Sequence, residues 1–448
     1  MNNKNIKTYS EITQKLLGRL AADSDKNVVF SPLSVIVLLA ILADATSDLT
    51  KEEIVEALGC KGDAEGFIRW LSKIQKELME GNFLKSSNAV CINNKIKEDT
   101  APGYEEHLKE IFDGKLFTSA NMVNDVNRWV NEKTQGMISR ITDDSIKHLL
   151  ACFLNAVAFN AKWEKKYEYD DIEEGTFTNS DGTSSEVTMM SGEENQYIEN
   201  EFFRGFTKPY KDAGYSFMAL LPKKDDPDYL KTAIGTVDLT KLFNSKKTCS
   251  VITFIPEYKL ELSADLNNFF NELGIRKAFS DNADFDPMTK AWIKVERILH
   301  KAFIEVDRAG TKAAAVTMAI ETAGCMSDFS YEVVELDRPF IFAIVHDKTG
   351  LPVFTGVVNH LNSGEYNLNQ YEFEGVVFDT KEEYEKYIKD AYRRIADRIH
   401  PDKCPDYESN EEIRELYTEA VEYYKTKDPY GLQLIEHEVD RLLGKISD

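Results

Sequence analysis

The sequence predicts an α+β domain over residues 1–362, a linker over 363–370 and a small all-α helical module over 371–448. Three observations predict it. Strand and helix periods are mixed along the first two thirds of the chain, without the regular alternation of a parallel α/β sheet. Ala151–Phe159 is a continuous apolar run, as in a strand buried on both faces. Residues 362–370 (NSGEYNLNQ) are polar with a Gly, charge is dense beyond them, and from residue 362 onward Trp is absent and ten of the twenty tyrosines are found.

The elements follow in order. Ile12, Leu16, Leu17 and Leu20 share one face of an N-terminal amphipathic helix. Residues 35–42 form an apolar helix behind Ser31, Pro32 and Ser34. Residues 217–221 and 250–254 read as strands, and 339–345 with 351–358 as a buried hairpin turning at Lys348-Thr349-Gly350. In the tail, Tyr384, Ile388, Ala391, Tyr392, Ile395 and Ile399 recur at three and four, marking an amphipathic helix over 382–399 whose other face carries Arg393, Arg394 and Arg398. Pro401 stops it within His400-Pro401-Asp402. A second helix carries Ile413, Leu416, Tyr417, Ala420 and Tyr424 behind the caps Ser409 and Asn410, and a third is expected around 432–443.

Composition excludes several functions. With 42% hydrophobic and 11% aromatic residues in 448, the chain is no disordered polymer. A net charge of -23 opposes nucleic acid and anionic membrane surfaces. No apolar run reaches bilayer length, and the N-terminus does not read as a secretory leader. The cysteines at 60, 91, 152, 249, 325 and 404 are widely spaced, which predicts thiols in a reducing compartment, hence a cytoplasmic protein. The seven histidines do not cluster with them, so no metal is expected. No nucleophile elbow, zinc-protease, P-loop or dinucleotide motif is present, so neither an enzyme nor a cofactor is expected.

The most informative stretch is 310–328, GTKAAAVTMAIETAGCMSD. Its alternate positions Thr311, Ala313, Ala315, Thr317 and Ala319 are all small. As a strand it could enter a close-packed sheet. Its end, 321–328, is polar like an exposed loop. On composition alone the helix formers over 312–319 favour an Ala-rich helix instead.

Ordered motifs then carry a resemblance. NVVFSPLSV (27–35), VNRWVNEKTQGMI (126–138), FLNAVAFNAKWEKKY (153–167), LGIRKAFSDNADF (273–285), HKAFIEVDRAGTKAAAVT (300–317) and DRPFIFAIVHDKTGLPVFTG (337–356) resemble, in family order, a bacterial-type serpin from about residue 7 to 362. The resemblance implies a serpin fold and a monomeric suicide-substrate inhibitor of serine proteases. Cleavage of an exposed reactive loop gives an acyl-enzyme, and the loop then inserts into the main sheet before deacylation. It implies hinge roles for Arg308, Gly310, Thr311, Ala313, Ala314 and Ala315. It implies shutter and breach roles for Ser31, Ser34, Asn155, Lys162, Trp163 and His300. Inhibitory relatives carry an acid where this chain has Arg308, so Arg308 either finds an acidic partner or loosens the breach. Lys312 replaces a common Glu on the outward face. A non-inhibitory serpin acting as a binding protein is the rival.

Family spacing from Gly310 puts the cut after Gly324, and spacing from Pro339 puts it after Asp328. The scissile region is therefore Gly324, Cys325, Met326 and Ser327. These residues are uncharged, which implies an elastase-like or subtilisin-like target, since a trypsin-like pocket would leave its acid unpaired. Oxidation of Cys325 would switch inhibition off, unless that cysteine is incidental. In the tail, the basic helix and the HPD tripeptide resemble a J-domain, although YEFEGVVFDTKEEY stands where that family has its first helix. The resemblance implies that Arg393, Arg394, Arg398, His400, Pro401 and Asp402 recruit a DnaK-type chaperone. A small helical module that merely docks is the alternative.

Overall fold

A computed structural model describes residues 3–22, 26–81, 83–134, 140–308, 310–311 and 331–362, then 372–373, 376–377, 381–405, 407, 409–425 and scattered positions to 443. Contacts divide the chain into two compact units, one of Met1–Lys312 with Ser330–Leu361, the other including Asn362–Asp448.

The first unit is built on two sheets. The larger, nine-stranded sheet runs in the order Val28–Phe30, Pro352–Val358, Phe340–His346, Tyr215–Pro222, Phe203–Pro209, Ser184–Glu199, Lys247–Pro256 and Glu332–Glu335, with Ile172–Thr178 beside Ser184–Glu199. The predicted hairpin is its Phe340–His346 and Pro352–Val358 pair, antiparallel with Ile341 opposite Val357. Gly350 makes the turn at φ 69, a backbone region that glycine enters at little cost.

The five-stranded sheet has the order Tyr258–Asp265, Ile298–Val306, Ala151–Phe159, Leu84–Asn93, Gly114–Ser119. Every residue of Ala151–Phe159 is buried. The physical reason is a second cover. Phe153, Val157 and Phe159 face the main core. Cys152, Leu154 and Ala156 face a separate cluster with Val126, Trp129 and Val130 of the helix Met122–Lys133. That helix is the described part of the 126–138 motif; positions 135–139 lie outside the described residues.

Pro32–Asp44 is the predicted apolar helix, with Pro32 in its first turn and the Ser31 side chain accepting the Ser34 N–H. All but its last residue are buried, so no amphipathic face remains. The N-terminal helix Asn3–Ala22 buries Ile12, Leu16 and Leu17 and half-buries Leu20. Among the described residues no helix is long and apolar enough to cross a membrane.

In the second unit, helices Lys381–Ile399 and Glu411–Lys425 pack through Ile388, Ala391, Ile395, Ile399, Ile413 and Ala420. Asn410 Oδ1 caps the second helix by accepting the Ile413 N–H at 3.4 Å. Leu432, Ile435 and Val439, at spacings of three and four, close the same cluster from the predicted third helix. Glu372–Phe373 and Val376–Val377 pair as short antiparallel strands. These strands lie within YEFEGVVFDTKEEY.

Candidate functional site

The joint between Ile298–Val306 and Ala151–Phe159 is a parallel seam near the middle of the sheet, and it is paired only in part. Its register runs from Ile298 opposite Phe153 to Ala302 opposite Val157, and the ladder includes none of 303–306. Beyond the unpaired end, Gly310 and Thr311 pair antiparallel with Lys162 and Ala161. The chain that leaves one seam strand therefore turns back beside the end of the other.

Three contacts hold that exit. The Trp163 indole N–H donates to the Asp307 carbonyl at 2.8 Å. The Tyr167 N–H donates to the Arg308 carbonyl at 3.2 Å. Glu257 Oε1 accepts from the Arg308 backbone N–H at 3.3 Å and from its Nε at 3.2 Å. Arg308 has thus found an acidic partner, which the sequence reading left open. The Glu257 side chain is only 3% exposed against 51% for Arg308, so the carboxylate depends on this donor.

Trp163 is fully buried and stacks on Tyr210 with centroids 4.5 Å apart. Beside it lies an ion pair that sequence reasoning missed, Lys208 Nζ to Glu194 Oε1 at 2.7 Å. Burial pushes the lysine pKa down and the carboxyl pKa up, and each partner partly offsets the other's shift. Lys208 also lies over the Tyr167 ring at 4.3 Å and the Trp163 ring at 5.5 Å. A Lys seven residues before the apolar strand Tyr215–Pro222 was a legible signal, since few lysines sit in such surroundings without a partner.

Midway along the seam the structure brings Ser31, Ser34, Asn155 and His300 together. His300 is opposite Asn155, and its Nε2 accepts the Ser31 N–H at 3.3 Å. Asn155 Nδ2 donates to Asn88 Oδ1 at 2.7 Å and to Ser86 Oγ at 3.2 Å. Ser86 and Asn88 join this row from Leu84–Asn93, where Lys85, Ser87 and Asn93 are polar too, so local composition does not set them apart. Three buried atoms of this row have no hydrogen-bond partner among the described residues: Ser34 Oγ, Asn155 Oδ1 and His300 Nδ1. Burial alone pushes the His300 pKa down to about 4, so the ring is neutral near pH 7.

Of the other expected site residues, Ala313, Ala314, Ala315, Gly324, Cys325, Met326 and Ser327 lie outside the described residues. In the tail, Arg394 pairs with Glu436 at 2.8 and 3.0 Å, and Arg398 with Asp440 at 2.5 Å. Both pairs repeat at a spacing of four, so two of the three arginines fasten the third helical stretch, and Arg393 is left with Lys386 and Lys389 on the exposed side. His400 Nδ1 accepts the Asp402 N–H at 3.1 Å, and its ring meets Tyr417 edge-on at 5.2 Å. Pro401 and Asp402 are exposed.

The family model for serpins, serine protease inhibitors, matches residues 7–361. The chain belongs to the serpin family. It is classed with inhibitors of proteases, not with enzymes. It is 28% identical over 372 residues to an uncharacterized serpin-like protein of Methanosarcina mazei, covering 79% of this chain and 84% of that protein. It is 28% identical over 379 residues to serpin-ZXA of Oryza sativa subsp. japonica, covering 76% and 92%. Among solved structures it resembles the thermophilic serpin tengpin in its native state, with a TM-score of 0.74, 32% identity and coverage of 81% of this serpin and 95% of that chain. The latent state of tengpin matches with a TM-score of 0.69 at 31% identity, covering 81% and 99%. The family match stops at Leu361, so the tail lies outside it.

Proposed function

We propose that this serpin is inhibitory: it traps serine proteases by inserting its cleaved loop between Ala151–Phe159 and Ile298–Val306. The observation that carries the reading is the short ladder Gly310–Thr311 against Ala161–Lys162. It already has the antiparallel sense that an inserted strand needs beside Ala151–Phe159. Continued one residue at a time, its register opposes Ala313 to Phe159, Ala315 to Val157 and Thr317 to Asn155. Small side chains then enter the core face, and the Thr317 hydroxyl arrives between Asn155 and His300, where three buried polar atoms have no partner among the described residues. The uncharged scissile region, Gly324, Cys325, Met326 and Ser327, suits an elastase-like or subtilisin-like protease. A Thr311→Arg variant tests the reading, because a long charged side chain at the start of the ladder stalls insertion. The wild type then forms the trapped complex and the variant is turned over as a substrate. Equal trapping by both would remove loop insertion as the mechanism.

For the tail, a second observation supports a partner. His400-Pro401-Asp402 ends one helix of a packed pair with Pro401 and Asp402 exposed, as chaperone recruitment by a J-like module requires. On this reading Arg393, rather than Arg394 or Arg398, contributes the basic contact to a DnaK-type chaperone.

A further inference from the structure

Strands Leu84–Asn93 and Ala151–Phe159 are antiparallel, and their register sets Cys91 directly opposite Cys152. Opposed residues of such a ladder point to one face of the sheet. Here it is the face beneath Met122–Lys133, where both side chains belong to one apolar cluster with Ala89, Leu154 and Trp129. Opposed Cα atoms of an antiparallel pair lie about 4.5–5.5 Å apart. A disulfide spans Cα separations of about 4.4–6.8 Å. Among the described cysteines no other two are ladder partners, and no disulfide joins any of them.

We propose that Cys91 and Cys152 are a redox pair, which a hydroperoxide converts into a cross-strand disulfide that ties the two strands into one block. One sulfur attacks the peroxide oxygen, the O–O bond breaks, and the alcohol leaves with a sulfenic acid behind it. The second sulfur attacks that sulfenic sulfur, the S–S bond forms, the S–O bond breaks, and water leaves with the remaining protons. The two thiols lose two electrons, which the peroxide takes up.

The covering helix gates the reaction. Both sulfurs are fully buried, and burial first, with the Asp125 carboxylate second, pushes the Cys91 pKa up to about 12. Asp125 belongs to Met122–Lys133 itself. Lifting that helix uncovers both sulfurs and removes the carboxylate together, so oxidation follows the lifting motion. Opposed Cβ atoms start about 4.5–5.5 Å apart, wider than the roughly 3.8 Å of a relaxed bridge. The disulfide is therefore strained and readily reduced, as suits a reversible device. It leaves the seam between Ala151–Phe159 and Ile298–Val306 untouched, so it stiffens one half of the sheet without closing the joint, and the proposal stands apart from the inhibitory reading.

The test treats the wild-type full chain with hydrogen peroxide, in buffer and in urea below the unfolding transition, then alkylates it and maps peptides without reduction. The expected result is a linked pair of peptides carrying Cys91 and Cys152. It forms at least about tenfold faster in urea and disappears with reductant, and the bridged protein melts about 5 °C higher. Half-buried Cys249 reports that the oxidant was active. Recovery of Cys91 and Cys152 as separate alkylated or over-oxidised residues, in samples where Cys249 has reacted, overturns the proposal. The mapping needs no variant, so it does not depend on how Cys91→Ala folds.

Discussion

Arg308 donates from both its backbone and its side chain to one oxygen of Glu257, at 3.3 and 3.2 Å, where strand Ile298–Val306 leaves the sheet. At the position where the resemblance places an acid, this serpin has the basic Arg308, and the acid of the pair is Glu257. Because Glu257 is buried and Arg308 is half exposed, the loss of the arginine falls on the carboxylate. Arg308→Glu is expected to destabilise the native state by about 1–3 kcal/mol and to speed heat-induced oligomer formation. The double variant Glu257→Arg with Arg308→Glu recovers most of that loss. Differential scanning calorimetry with size-exclusion chromatography reads both, and a double variant no better than the single one refutes the pairing.

His300 makes the native state sensitive to acid. Its pKa is lowered to about 4 in the folded chain against 6.5 for the free side chain. Between those values the unfolded chain binds the proton and the folded one does not, so stability rises with pH there. The full contribution is present above about pH 6.5 and is lost as pH falls towards 4, amounting to about 3 kcal/mol. Urea unfolding midpoints at pH 7.5, 6 and 4.5 should fall more steeply for the wild type than for His300→Asn. Parallel pH profiles would rule out this role.

Lys208 and Glu194 are a buried pair, with side chains 2% and 7% exposed. Removing one partner strands the other's charge, and such losses cost about 3–5 kcal/mol. Lys208→Met alone should therefore lower thermal stability severely, whereas Lys208→Met with Glu194→Leu should lie near the wild type. Comparable melting of the two variants would show that Lys208 acts through its ring contacts instead.

The tail has its own readout. Stimulation of a DnaK-type ATPase by the wild type, lost in His400→Gln and reduced in Arg393→Ala at unchanged melting temperature, is the outcome expected of a recruiting module. Absence of stimulation by the wild type leaves a helical module without that role.

Much of the seam was legible because burial on two faces writes itself as a continuous apolar run, and Ala151–Phe159 is one. Ser31, Ser34, Asn155 and His300 emerged from ordered motifs, whereas Asn88 and Ser86 join them only through strand register, a long-range relation that no local pattern encodes. Glu257 was invisible for the same reason: it stands 51 residues from Arg308. The tail's arginines misled in the opposite direction. A basic helix face reads as a contact surface until the acids of a third element, Glu436 and Asp440, are brought against it.

The central claim is that a protease attacking the loop is trapped by insertion. It is tested most directly by incubating the full chain with elastase-like, subtilisin-like and trypsin-like proteases, followed by denaturing gels and mass analysis of the released peptide. The account predicts an SDS-resistant complex with an elastase-like or subtilisin-like enzyme, and a cut within Gly324 to Ser327. Cleavage without a stable complex, or a stable complex cut after a Lys or Arg, would contradict it.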